Sequence, residues 1–201
     1  ASAVTMTIPA AGFHPMFTVR PSLMLFLVRQ DRHVRHGQRW RDNAHNHVMT
    51  WENPPAAYTD SMAKLIGNII KEITGRESTP EQVKKNILDG YMDSDGSKLI
   101  EIMDGAGVDM TFILALDWGY GYGEAAQTTD EINQFYGSVA KQYPDRLVAF
   151  AGVDPRRPNA VELLDKAVTD YGCKGLKFHP TSGFYPDSEE AYKVLEKAQE
   201  Y

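Results

Sequence analysis

Cysteine is almost absent. Cys173 stands alone among 201 residues, so no internal disulfide can form, and a reducing compartment such as the cytoplasm is expected. An excess of positive charge is absent as well. The formal net charge is −6, which excludes the electropositive face that nucleic acid requires. Long apolar runs are missing: the longest, Leu23–Val28, is far too short to span a membrane. No basic stretch leads into a long apolar one, so no signal peptide is expected. Lysine is missing from residues 1–41, which hold six Arg and one acid, whereas residues 42–201 carry a net −11. That Arg-rich opening has no helical or strand period. It reads as a leader outside the core, with 42–201 as the folded domain; a basic arm for an acidic partner is the other reading. The first residue is Ala1, so the native start is expected upstream.

The remaining composition, 42% hydrophobic and 24% charged, is that of a globular domain. Met62, Leu65, Ile66, Ile69, Ile70 and Ile73 share one face of a helix over 58–73. In "STPEQ", Thr79, Pro80 and Gln82 spell a capping box. "SKLIEIMDGAG" is a helix opened by Ser97 and closed by Gly105 or Gly107.

From there strands and helices alternate. The apolar runs 110–116 and 147–153 are strands buried on both faces, and 174–179 is a third. Helices lie between them, the last over "DSEEAYKVLEKAQEY" with Glu190 paired to Asp187 at its start. Such alternation builds a parallel sheet, either a (β/α) barrel or an open doubly wound sheet. Asp117, Asp154 and His179 follow the three strands. Ligand chemistry sits at that edge of parallel folds, although Asp beside Pro is equally a turn signal. "GYGYG", 119–123, matches neither the dinucleotide nor the P-loop pattern and reads as a mobile loop.

"NAHNHV" places His45 and His47 two residues apart. On a strand both point the same way, so two imidazoles can meet one ion, and neutral imidazole suits zinc. A lone pair of this kind is equally a surface feature, because catalytic zinc takes three protein ligands.

The succession "DNAHNHV", "AGVDMTFILAL", "YPDRLVAFAGVDP", "GCKGLKFHP" resembles the amidohydrolase family that includes aminocarboxymuconate-semialdehyde decarboxylase, sometimes called amidohydrolase family 2. The resemblance covers 42–201. It implies a (β/α)8 TIM barrel of the amidohydrolase type, of which strands one to four are present. It assigns His45 and His47 to the metal, a divalent ion expected to be zinc. Lys177 and His179 alternate with Leu176 and Phe178, and so face the barrel mouth as substrate-binding residues. A homodimer is compatible with the family.

Two features depart from its pattern. The first strand lacks an apolar run, and Asn43 stands where the family has Asp, with Asp42 one step earlier. The catalytic residues and further metal ligands are expected beyond Tyr201, since a barrel needs about 250 residues. The chain alone is therefore expected to be inactive. The implied activity is metal-dependent hydrolysis of a small amide, ester or lactone. Non-oxidative decarboxylation and hydration are alternatives on the same scaffold, and a non-catalytic or truncated product is another.

Overall fold

A computed structural model describes residues 6–7, 27–28 and 42–201. Two short strands, β1 (Met6–Thr7) and β2 (Leu27–Val28), pair in parallel. The rest of the Arg-rich opening, and with it the expectation about 1–41, lies outside the described residues.

The main sheet has four parallel strands in sequential order, β3 (Asp42–Asn46), β4 (Met110–Leu114), β5 (Leu147–Gly152) and β6 (Leu176–Lys177). Parallel neighbours need crossovers, which helices supply. Between β3 and β4 lie α1 (Ala56–Thr74), α2 (Pro80–Asn86) and α3 (Ser97–Ala106). A short α4 (Gly119–Tyr122) and α5 (Thr129–Gln142) precede β5; α6 (Ala160–Thr169) precedes β6; α7 (Glu189–Ala198) follows it. Sequential parallel order with a helical crossover at each step is the arrangement of a partial α/β barrel.

Strand alternation sorts the side chains. Ile113, Ala149, Ala151, Leu176 and Phe178 pack against helix residues such as Tyr136, Leu164 and Val194. Phe112, Leu114, Val148 and Phe150 form a separate cluster on the other face, with the two phenyl rings 5.2 Å apart. Ala151 pairs with Leu176 and Gly152 with Lys177, so Lys177 shares the second face, as the alternation requires. A third cluster joins α1, α2 and the 3₁₀ turn that follows through Ala63, Val83 and Leu88.

Local chemistry explains several ends. The Thr79–Gln82 capping box forms as expected, and a second, Thr128–Glu131, opens α5. α3 stops at Gly107, in the left-handed conformation. Three expectations are corrected. Ser188, not Asp187, caps α7, accepting from the Ala191 N–H, because it is the residue immediately before the first helical turn. Most of the "GYGYG" stretch is the helical turn α4 rather than a loop. The third strand of the alternating region shortens to two residues, since His179 turns away into a 3₁₀ turn begun by Pro180.

Candidate metal and substrate site

β3 delivers the imidazoles. It pairs Asn43 with Thr111 and Asn46 with Ile113, one residue out of step, so the strand bulges where the histidines begin. A bulge re-aims the side chains around it. Asn46 anchors the distorted stretch by donating to Thr111 Oγ1 at 2.7 Å. The result is a convergent pair: His45 Nε2 and His47 Nε2 are 2.8 Å apart. His47 Nδ1 lies 2.7 Å from the Leu114 carbonyl oxygen, so it carries the proton and donates. That leaves a lone pair on His47 Nε2, towards which His45 Nε2 donates.

This donor set fits a divalent ion. Two nitrogens at ~2.0–2.1 Å from a tetrahedral zinc lie ~3.3 Å apart, so an opening of ~0.5 Å admits one. A ligating imidazole normally gives its other N–H to a carbonyl or carboxylate, and His47 already does so. Both rings also favour the neutral form. Burial lowers the His45 pKa, and the Lys177 charge adds to the effect. Burial pushes His47 down to about 4, against the pull of the Leu114 carbonyl and with help from His45, Lys177 and His179.

Lys177 is buried on the sheet face that carries Leu114 and Phe150, and burial lowers its ammonium to about 8. Its charge is felt at His45, His47 and His179 alike, so the four expected side chains share one electrostatic neighbourhood. His179 is pushed to about 4, by burial first and then by Lys177 and His45. Its Nδ1 is buried with no hydrogen-bond partner among the described residues. Still, no group of three or more His, Cys, Asp or Glu among the described residues is placed to hold a metal. His179 therefore does not complete a three-ligand set with the pair.

The two carboxylates that follow β4 and β5 are held by arginines rather than open to a ligand, which favours the structural alternative for both. Asp154 is gripped by Arg156, with Nε–Oδ1 at 2.9 Å and Nη2–Oδ2 at 2.6 Å. Asp117 is gripped by Arg157, with Nε–Oδ2 at 2.6 Å and Nη2–Oδ1 at 2.8 Å. Asp117 Oδ2 also accepts the Asp154 N–H at 2.8 Å. Bidentate pairs of this kind hold backbone in place. The double arginine in "DPRRP" was the available signal for Asp154, two cations standing two and three positions beyond a buried acid.

The sequence reading also missed an aromatic wall. Trp118 lies 4.4 Å from Tyr58 and 5.7 Å from Tyr122, ring centre to ring centre. Trp118 and Tyr122 stand 5.6 and 6.3 Å from the His179 ring. These are ordinary edge-to-face and tilted spacings. A surface hollow of about 700 Å³ lies to one side, lined by Trp51, Thr59, Lys84 and Glu124 among others and by none of the histidines.

A parallel sheet with crossover helices, and an imidazole pair at the end of its first strand, defines a partial α/β barrel with chemistry on its rim. The amidohydrolase family model matches residues 43–201, and the chain belongs to that family. Among solved structures, 5-carboxyvanillate decarboxylase from Novosphingobium aromaticivorans, with bound manganese and 3-methoxy-4-hydroxy-5-nitrobenzoic acid, is similar at a TM-score of 0.53 and 20% identity, over 80% of this chain and 48% of that one. The 5-carboxyvanillate decarboxylase from Sphingomonas paucimobilis gives 0.50 and 16%, over 80% and 49%. These likenesses concern the fold. This chain spans about half the length of those structures. No curated protein matches it. Among the described residues, no helix is long and apolar enough to cross a membrane.

Proposed function

We propose that this chain supplies two metal ligands and part of the substrate rim of a metal-dependent hydrolase acting on a small amide, ester or lactone. The observation that carries the proposal is the 2.8 Å convergence of the two Nε2 atoms, with His47 oriented by the Leu114 carbonyl. A divalent ion held there, zinc in this reading, would polarise a carbonyl and make water a better nucleophile near neutral pH. His45 and His47 offer neutral nitrogen to it. Lys177 presents a positive charge towards the same space, suited to a carbonyl oxygen or carboxylate. His179 Nδ1 is a buried polar atom that a substrate group could satisfy. Asp117 and Asp154 are committed to arginines, so neither is the general base.

A second reading, non-oxidative decarboxylation, is favoured by one pairing of features: the Lys177 cation and the Trp118–Tyr122 wall suit a carboxylated aromatic ring. The decarboxylase with bound manganese and a nitrobenzoic acid supports it by fold. Because the chain spans about half the length of the similar structures, the test is made on a full-length barrel that contains it, loaded with zinc or manganese and offered an ester, a lactone and a hydroxylated benzoic acid. Hydrolysis abolished by His45→Ala supports the first reading. Carbon dioxide release abolished by the same change supports the second. Turnover indifferent to His45→Ala and His47→Ala refutes both.

A further inference from the structure

We infer that Arg157 is a positioning residue: it ties together the two ends of segment 117–124 and so holds the Trp118–Tyr122 wall against His179. The inference rests on the reading above only in taking His179 as part of the site.

The segment begins at Asp117, three residues beyond the end of β4, turns through α4 and departs at Glu124. Arg157 grips both ends. At the near end it makes the bidentate pair with Asp117. At the far end Nη1 donates to Glu124 Oε1 at 3.1 Å and Nη2 to Glu124 Oε2 at 2.9 Å. A planar guanidinium can address two carboxylates at once; a lysine ammonium is a point charge and cannot span both. The two ends differ in burial. The Asp117 side chain is 2% exposed and that of Glu124 62%, with Arg157 at 15%. One end is thus a fixed anchor, and the other is a fastening that solvent can compete for.

Close packing shows how tight the fastening is. A Cβ on Gly119 would meet Arg157 Nη2 at 2.3 Å and Glu124 Oε1 at 2.6 Å. Trp118 and Tyr122 lie between the two tied ends, so the wall can shift only if one end opens. Trp118 is 4% exposed in the closed arrangement. Arg156 shares the Tyr120 ring with Arg157, at 5.0 and 5.5 Å, but its hydrogen bonds go to Asp154 and to the Ser182 and Gly183 carbonyls rather than to Glu124.

The test uses the full chain with Trp40→Phe and Trp51→Phe, leaving Trp118 as the sole indole. Acrylamide quenching of Trp118 and the His179 imidazole proton resonances are read at fixed pH. In Arg157→Met, quenching should rise about threefold as the indole gains solvent contact. The His179 resonances should move towards those of a free imidazole as the ring currents of Trp118 and Tyr122 withdraw. Arg157→Lys should resemble Arg157→Met. Glu124→Ala, which leaves the buried Asp117 pair intact, should give a smaller change in the same direction without loss of fold.

Unchanged quenching and unchanged His179 resonances in a folded Arg157→Met variant would overturn the inference. If that variant does not fold, the same null result in Glu124→Ala overturns it. Zinc binding by the parent is measured in parallel. Its absence would count against the proposed function and leave the Trp118 result standing.

Discussion

Asn133 should be among the most costly polar side chains to truncate, although it is far from the histidines in sequence. β4 and β5 pair from Thr111 and Leu147 to Leu114 and Phe150, and the Ala115 N–H still reaches the Phe150 carbonyl at 3.0 Å. β4 ends at Leu114 while β5 continues to Gly152, which still lies close against the Ala115 backbone. The Asn133 amide takes over from the missing ladder. Its Oδ1 accepts the Gly152 N–H at 2.8 Å, and its Nδ2 donates to the Gly152 carbonyl at 3.1 Å, all in a buried setting. Asn133→Ala strands two buried backbone groups at ~1–3 kcal/mol each, giving a loss of about 4 kcal/mol. Urea denaturation followed by circular dichroism would measure it. Asn133→Asp separates the hydrogen bonds. The introduced carboxyl can still accept from the N–H, but when ionised it faces the Gly152 carbonyl with an oxygen. Its folded pKa should therefore lie above the unfolded value of ~3.9. The folded state then holds the proton more tightly. Stability is best below the unfolded value and falls as pH rises through the folded one. The variant should be nearer to wild type at pH 4 than at pH 8. A cost below ~1 kcal/mol for Asn133→Ala would refute the idea that this amide terminates the ladder.

Burial pushes the Cys173 thiol up to about 12, so it should resist alkylation at pH 8 and react at the rate of global opening, faster only in denaturant. Without metal, His47 and His179 hold their folded values near 4, below the unfolded 6.5. The unfolded chain then takes up protons first, so stability is intact above about pH 6.5 and lost as pH falls towards 4. The melting temperature of the metal-free chain should fall by at least ~5 °C between pH 7 and pH 5, and a flat profile would contradict the neutral imidazoles. Lys177→Met removes a positive charge that acts on all three rings. Proton NMR should show the His47 and His179 values rising yet staying below 6.5, because burial is the larger cause.

Much of the scaffold was legible because its signals are local. The capping box at Thr79, the apolar runs of β4 and β5 and the alternation of Leu176, Lys177, Phe178 and His179 all act over a few residues. The histidine pair was legible for the same reason, spacing on a strand, but the bulge that turns it was not. Register is a property of two strands, and only the pairing of Asn46 with Ile113 reveals it. At the rim the two acids differ: Asp154 finds its partner two residues on, in Arg156, a local signal that "DPRRP" carried, whereas Asp117 finds its own through tertiary packing. Arg157 sits 40 positions from Asp117, and no local pattern announces that contact. The aromatic wall was missed similarly, since Tyr58, Trp118 and His179 come from three separate parts of the chain.

The most direct test of the account is calorimetric titration of zinc into the chain at pH 7.5, repeated on His45→Ala and His47→Ala. His14, His33 and His36 remain in both variants and serve as an internal control for adventitious binding. One specific zinc per chain is predicted, weakened by about 100-fold or more in each variant; both imidazoles are already neutral, so His45 moves its proton from Nε2 to Nδ1 and the pair releases none. Equal affinity in the parent and in both variants would contradict it and reduce the pair to two hydrogen-bonded surface histidines.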